Sequence, residues 1–331
     1  MTVKIGLNGF GRIGRYMARI LAGNSDYELT AVNARADNPS LAHLLKYDSV
    51  HGPFSGTVQA NEAGFLLEGQ QVTVTRKQPG QWIWGDLGVD IVLETTGKFK
   101  DRDSCQQHLD CGCQKVLISA PGKNCDATIV MGVNDHLLKP EDRIVSNASC
   151  TTNCLAPAAK VLADAFGIDH GCMNTVHSYT MSQRILDGSH KDLRRARAAC
   201  MSMIPTTTGA AKAVEEVIPE LQGRLSGMAV RVPTPNVSLV DLTVQLLQDS
   251  SAQEVNAALK EAAQGALKDI LGYSEEPLVS IDYTGSHYGG VVDALTTTMT
   301  GKRLLKCIVW YDNESGFSWQ LFRLLQKAAT M

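Results

Sequence analysis

The chain reads as an α/β protein of two domains, with a doubly wound parallel sheet in its first half. Three observations carry that reading. An apolar strand runs into a glycine-rich turn and an amphipathic helix near the start. Short apolar runs then alternate with helical or loop segments, and 331 residues suit two cores of ordinary size. Hydrophobic residues make up 44% and charged residues 20%, the balance of a globular chain. The net charge of −3 gives no electrostatic reason to expect nucleic acid or an anionic membrane as a partner. No signal peptide or membrane-spanning stretch stands out, so a cytoplasmic protein is expected. Nine cysteines, odd in number and irregularly spaced, imply reduced thiols in a chain too large to need stapling. Cys105, His108 and Cys111-Gly112-Cys113 lack a second ligand pair at zinc-site spacing, so no metal is expected.

Val3-Lys4-Ile5-Gly6-Leu7 is the first strand, and Asn8-Gly9-Phe10-Gly11-Arg12-Ile13-Gly14 opens a helix running through Leu21. That is Gly-x-Gly-x-x-Gly between strand and helix, the context a dinucleotide-binding turn requires. Gly9 makes the tight turn, Gly11 lets the backbone approach a pyrophosphate, and Gly14 lets helix pack on strand. The pyrophosphate would rest on the helix N-terminus. Further strands are expected at Leu29–Val32, Asp90–Glu94, Lys115–Ser119 and Thr128–Met131, completing a Rossmann-type domain. An acidic residue usually ends the second strand and holds the adenosine 2′-hydroxyl. Here Asn33-Ala34-Arg35-Ala36-Asp37 puts Ala34 in that place, beside Arg35. Without the anion, repulsion of a 2′-phosphate disappears and Arg35 adds attraction. The alternatives are that Asp37 serves instead, or that Arg35 points into solvent.

Ala148-Ser149-Cys150-Thr151-Thr152-Asn153-Cys154 follows the apolar pair Ile144-Val145 and leads into a helical run to Phe166. Ser149 is a good N-cap, which puts Cys150 at a helix N-terminus, where negative charge is favoured. A cysteine there is expected to be an exposed, low-pKa nucleophile, alkylated before the other eight. A domain junction just before Cys150 would turn it toward the nicotinamide end of a cofactor on the first domain. Gly171–His177 reads as a strand ending in a candidate general base. The basic run His190–Arg197 reads mostly as a solvated face or subunit contact. Thr206-Thr207-Thr208-Gly209 precedes the helical run Ala210–Val217 and forms a candidate anion site. Arg231, a lone charge in an apolar strand, needs an anionic partner, which a ligand can supply. Val237–Leu247 alternates as a long strand. Phe317, Leu321, Leu324, Leu325 and Ala328 mark a final helix packing on the first domain.

Asn8–Arg15, the stretch Ala42–Gly52, Ser146–Pro157, His177-Ser178-Tyr179-Thr180, the run His190–Lys212, Arg231–Asp241 and Trp310–Glu314 resemble the phosphorylating glyceraldehyde-3-phosphate dehydrogenase family. The resemblance spans essentially the whole chain. It implies a dinucleotide-binding domain over residues 1–149, completed by a C-terminal helix over 315–331. It also implies an α+β catalytic domain with a largely antiparallel sheet over 150–314. Cys150 would attack an aldehyde carbon, with His177 lowering the thiol pKa and acting as base; inorganic phosphate would then release an acyl phosphate. The C3 phosphate of glyceraldehyde 3-phosphate would bind through Thr180, Arg231 and the cofactor ribose. Attacking phosphate would meet Ser149, Thr151, Thr208, Gly209 and Arg195. Arg12 and Ile13 would contact the pyrophosphate, Ser119 would line the pocket, and Asn313 would fix the carboxamide. Lys77 and Ser189 join the cofactor set, and Cys154 packs. A homotetramer is implied.

Two departures bear on the choice between NAD and NADP. Aspartate is usual where Ala34 stands, and Leu-Pro where Gly188-Ser189 stands; both changes are similar to NADP-using members. A third, Phe317 where tyrosine is common, has no assigned consequence. The nearest rival is erythrose-4-phosphate dehydrogenase, which hydrolyses its thioester; Thr180 and Thr206–Ala210 favour the phosphorylating enzyme. A non-catalytic binding role on the same scaffold is the other alternative.

Overall fold

The computed structural model describes residues 2–331, which divide into two compact units. One runs to Ile129 and adds Asp135–Ala148 and Leu321–Met331; the other is Val130–Asn134 with Ser149–Gln320.

In the first unit, β1 (Val3–Asn8) leads to α1 (Arg12–Ala22), β2 (Tyr27–Asn33) and α2 (Asn38–Lys46). Then come β3 (Val58–Asn61), β4 (Gly64–Leu67), β5 (Gln70–Thr75), β6 (Ile91–Glu94) and α3 (Arg102–Asp110). Strands β7 (Lys115–Ile118), β8 (Ala127–Thr128) and β9 (Ile144–Ser146) complete it. The nine strands lie in the order β3-β4-β5-β2-β1-β6-β7-β9-β8. All neighbours pair in parallel except β3 with β4 and β4 with β5. Ile5 and Leu7 of β1 are fully buried, as a strand covered on both faces requires. Helix α1 buries Gly14, Met17, Ala18 and Leu21, one stripe at helical spacing. The strand expected over Thr128–Met131 is cut to Ala127–Thr128. Val130 has left the ladder: its N–H donates to Asn134 Oδ1 at 2.8 Å, and its carbonyl accepts from Val133 in a turn.

The second unit contains α4 (Cys150–Phe166), β10 (Ile168–Ser178), β11 (Ile204–Thr207), α5 (Ala210–Val217) and β12 (Leu225–Val232). It continues with β13 (Ser238–Leu246), α6 (Ala252–Gln264), β14 (Leu271–Ser274), β15 (Gly290–Thr300), β16 (Leu304–Tyr311) and α7 (Ser315–Ala329). Its seven strands run β11-β12-β10-β13-β16-β15-β14, parallel only at β10 with β12 and β14 with β15. Burial alternates residue by residue along β13, so one sheet face carries the core. Helix α4 lies against α5, α6, β15 and β16. The strand expected from Val237 begins at Ser238 because Val237 sits at φ +65°, a strained conformation for a β-branched residue. Ser178 Oγ donates to the Val237 carbonyl at 2.7 Å and holds that turn. Helix α7 passes from the second unit to the first between Gln320 and Leu321; beyond that point Phe322 meets the Tyr27 ring edge-on at 5.5 Å.

Candidate active site

The first unit offers a nucleotide cradle. Gly9 adopts φ +98°, and a Cβ there would lie 2.9 Å from the Thr96 backbone nitrogen. A Cβ on Gly14 would lie 2.5 Å from the Gly9 carbonyl oxygen, so only glycine lets the helix come this close. Gly11 has open space above it, and no side chain caps α1, whose first turn includes Arg12 and Ile13. The residues present therefore fit a diphosphate at the helix N-terminus. We expect Gly14→Ala to cost about 1–3 kcal/mol, read as a lower urea midpoint, because α1 must move off β1.

A cavity of about 400 Å³ extends from this turn and is lined by Gly9, Gly11, Ala34, Arg35, Arg76, Lys77 and Lys98 among others. Among the described residues no carboxylate lines it. Asp37 is committed elsewhere: it caps α2, with Oδ1 accepting from the Ser40 N–H at 2.8 Å and Oδ2 from Ser40 Oγ at 2.9 Å. The Arg12 guanidinium is bidentate to Asp48, so a pyrophosphate would meet Arg12 through its backbone rather than its side chain. Burial would raise the Asp48 carboxyl, but Arg12 and the N–H groups of His51 and Val50 outweigh it and hold it well below the usual carboxylate range.

Beneath the turn lies a polar relay that no sequence motif marked. Glu94 is buried at the end of β6 and accepts from Asn8 Nδ2 at 2.6 Å, from the Thr96 N–H at 2.7 Å and from the Thr96 hydroxyl. Asn8 Oδ1 accepts from Asn33 Nδ2 at 3.0 Å, and Asn33 Oδ1 accepts from the Lys77 N–H at 2.9 Å. His108 closes the far side: Trp84 Nε1 donates to its Nδ1 at 3.0 Å, and its Nε2 lies 3.3 Å from Glu94 Oε2. The only local signal is an acidic residue closing an apolar strand. Ser119 Oγ donates to the Glu94 carbonyl at 2.9 Å.

The second unit holds the thiol. Ala148 at φ +54° turns the chain from β9, and Ser149 caps α4 by accepting the Thr152 N–H at 3.1 Å. Cys150 is therefore the first residue of α4, with its Sγ 3.5 Å from His177 Nε2. His177 comes from β10, adjacent in register to Arg231 of parallel β12. His177 Nδ1 lies 2.7 Å from the Ser178 carbonyl and 2.7 Å from Arg231 Nη1, which also donates to Ser178 O at 2.9 Å. Among the described residues no carboxylate pairs with Arg231, and its Nε is buried without a hydrogen-bond partner. Tyr311, fully buried, links the start of α4 to β10. Its hydroxyl meets Thr151 Oγ1 at 2.9 Å and Thr175 Oγ1 at 2.8 Å, and its ring stands edge-on to His177 at 5.8 Å. No motif in the sequence marks Tyr311 for this role.

Of the residues expected to bind anions, Arg195 lies against β11, and Thr208 and Gly209 lead into α5. Arg195 Nε donates to Thr206 Oγ1 at 2.9 Å, Thr208 Oγ1 accepts from the Ala210 N–H at 3.2 Å, and Gly209 caps α5 without a side chain. Thr180 Oγ1 is 2.9 Å from Ser182 Oγ. Asn313 Oδ1 accepts from Ser238 Oγ at 2.9 Å. Ser189, whose carbonyl accepts from Arg184, is exposed with Gly188.

The electrostatics correct the expectation of an exposed, low-pKa thiol. Cys150 is only partly exposed, whereas Cys172 and Cys200 are exposed. Burial pushes the Cys150 thiol above its ordinary value, against the pull of Arg231 and the Thr151 N–H. Burial and the Arg231 charge lower His177 to about 3. The pair is thus a neutral thiol facing a neutral imidazole, and His177 does not depress the thiol in this state. One consequence concerns stability. Below pH ~6.5 the unfolded chain takes up a proton at this imidazole that the folded chain refuses. Stability is therefore full above that pH and falls toward pH 3, by about 2 kcal/mol at pH 5; in His177→Asn this part of the acid sensitivity should vanish from denaturant titrations.

Among the described residues no helix is long and apolar enough to cross a membrane, and no group of three or more His, Cys, Asp or Glu could hold a metal. Residues 3–102 match the glyceraldehyde 3-phosphate dehydrogenase NAD binding domain, and residues 149–313 match the C-terminal domain of the same family. The chain is 57% identical to glyceraldehyde-3-phosphate dehydrogenase of Geobacillus stearothermophilus and 55% identical to glyceraldehyde-3-phosphate dehydrogenase 1 of Bacillus subtilis, each over 320 residues. It is 51% identical over 322 residues to the enzyme of that name from Pseudomonas aeruginosa; all three alignments cover 96% of both chains. On the fold, the thiol–imidazole pair and these matches, the chain belongs to the glyceraldehyde-3-phosphate dehydrogenase family.

Proposed function

We propose that the chain oxidises glyceraldehyde 3-phosphate and captures inorganic phosphate, giving an acyl phosphate. The observation carrying this reading is Cys150 Sγ at 3.5 Å from His177 Nε2, at the first residue of a capped helix. Cys150 adds to the aldehyde carbon: the carbon–sulfur bond forms, the carbonyl pair moves to oxygen, and the thiol proton passes to His177 Nε2. The helix N-terminus favours the negative charge that develops on sulfur. A nicotinamide dinucleotide held on the glycine-rich turn would supply the two-electron acceptor needed to take the sulfur adduct to a thioester. Phosphate oxygen then attacks the acyl carbon, the carbon–sulfur bond breaks, and the thiol is restored. Arg195, Thr208, Gly209, Ser149 and Thr151 are the phosphate-binding candidates, Arg231 and Thr180 those for the substrate phosphoryl, and Asn313 the carboxamide partner. A phosphate titration tests the reading: turnover that persists without phosphate would point to hydrolytic release, as in the erythrose-4-phosphate enzymes.

NADP is the favoured cofactor in this reading. Support comes from the carboxylate-free cavity, the cations Arg35, Arg76, Lys77 and Lys98 on its lining, and Asp37 held in a cap. We expect kcat/KM with NADP to equal or exceed that with NAD, and Ala34→Asp to raise the KM for NADP about tenfold by like-charge repulsion. A strong NAD preference in the unmodified chain would refute this.

A homotetramer is the proposed assembly. Met181 is 93% exposed, Leu193 and Met201 each 81% and Ile185 80%, an apolar surface concentrated in one segment of a single chain.

A further inference from the structure

A carboxylate that the reaction scheme leaves idle closes β6. Glu94 is 1% exposed, and every polar group facing its two oxygens is a donor. The orientation of those neighbours follows from three N–H groups that can only donate. The Lys77 N–H occupies Asn33 Oδ1 at 2.9 Å, so Asn33 Nδ2 is left to face Asn8 Oδ1 at 3.0 Å. Asn8 Nδ2 in turn donates to Glu94 Oε2 at 2.6 Å. The Trp84 indole occupies His108 Nδ1 at 3.0 Å, which leaves the ring proton on Nε2, 3.3 Å from that same oxygen. The Thr96 N–H donates to Glu94 Oε1 at 2.7 Å. The Thr96 hydroxyl accepts from the Lys98 N–H at 3.1 Å and gives its own proton to Oε1. A carboxyl proton would find no acceptor here, so the site is built for the ionised carboxylate.

The three chains of bonds end on the wall of the nucleotide cavity. Asn8, Asn33 and Lys77 line it, and Asn8 leads directly into Gly9. Thr96 lines it too, so close under Gly9 that a Cβ there would lie 2.9 Å from Thr96 Cγ2. On the third chain, His108 stacks on Trp82, another lining residue, with ring centroids 3.8 Å apart and an interplanar angle of 17°. One side chain thus sets the place of the turn expected to meet the pyrophosphate. It also sets the Asn33–Lys77 contact at the end of β2, where the adenosine ribose is expected.

We propose that Glu94 is a positioning residue for the dinucleotide: its ionised carboxylate aligns the pyrophosphate and adenosine ends of the cradle with each other. Glu94 does not line the cavity itself and acts through Asn8, Asn33 and Thr96. This rests on the reading of the cavity as the dinucleotide site. In Glu94→Gln a carboxamide brings a donor into a site made of donors. One chain then loses its acceptor, and the wall it carries shifts.

Calorimetry on the full chain, with NADP and NAD as probes, tests this without turnover. Glu94→Gln should bind both dinucleotides about tenfold more weakly, the effect of one buried donor left unpaired. Asn8→Asp alone sets two carboxylates against each other and should weaken binding at least as much. Combining the two substitutions restores complementarity. The new carboxamide donates to the new carboxylate, which still accepts from Asn33 Nδ2, and its oxygen keeps the Thr96 N–H. The double variant should therefore return to within about threefold of the unmodified chain. A carboxylate that only stabilises the fold would give lower urea midpoints with unchanged affinity in the single variants, and that result overturns the proposal. So does a double variant that binds no better than Glu94→Gln. If circular dichroism shows Glu94→Gln unfolded, Glu94→Asp takes its place. It keeps the charge but is one methylene short, cannot reach Asn8 and Thr96 together, and should weaken binding about threefold; unchanged affinity there overturns the proposal as well. An unmodified chain that binds neither dinucleotide overturns the cavity reading and this inference with it, whereas unchanged binding in the variants overturns this inference alone.

Discussion

Replacing Cys150 with serine is expected to lower kcat by at least about 10⁴-fold. The hydroxyl is a much weaker acid than the thiol, and the imidazole that would have to deprotonate it is held near pKa 3 by burial and Arg231. Volume and capping are almost unchanged, so dinucleotide affinity measured by calorimetry should stay within about twofold. Incubation with radiolabelled aldehyde should leave the serine variant unlabelled after quenching, while the unmodified chain carries an acid-stable acyl group on the peptide containing position 150. Turnover retained in Cys150→Ser would remove the nucleophile from the scheme.

Loss of His177, the proposed base, should be nearly as severe. His177→Asn is expected to reduce kcat by about 10²–10⁴-fold at neutral pH. Asparagine keeps much of the shape but cannot take the thiol proton. The deficit should narrow as pH rises through the ionisation of the thiol itself, and burial puts that ionisation above its ordinary range. A deficit that does not narrow even where alkylation shows the thiol to be ionised would assign His177 a packing role. Tyr311→Phe separates position from proton transfer: it removes the two hydroxyl bonds to Thr151 and Thr175 while leaving both reacting groups in place.

Local rules made much of this legible. A strand, three glycines and a helix follow one another within a few residues, and so do Ser149, Cys150 and the helix they open. What stayed hidden depends on pairings across long stretches of chain. Arg231 meets His177 because β10 and β12 run in register, 54 residues apart. Tyr311 reaches Thr151 across 160 residues. Glu94 collects Asn8 across 86. The expected low-pKa thiol went wrong for the same reason, since helix position is local but burial and a neighbouring cation are not. The lost strand at Val130 and the shortened start at Val237 were set by side-chain bonds from Asn134 and Ser178, which hydrophobic pattern does not encode.

The buried Glu94 relay bears on the dynamics of the glycine-rich turn. A carboxylate that binds Asn8 and the Thr96 amide at once, inside the sheet, leaves that turn little freedom to flicker on its own. The Gly9 amide, which donates to the Asn33 carbonyl, should exchange with deuterium as slowly as the central strands do, opening only with them. The cradle is then rigid before any nucleotide arrives, and little ordering entropy is lost on capture.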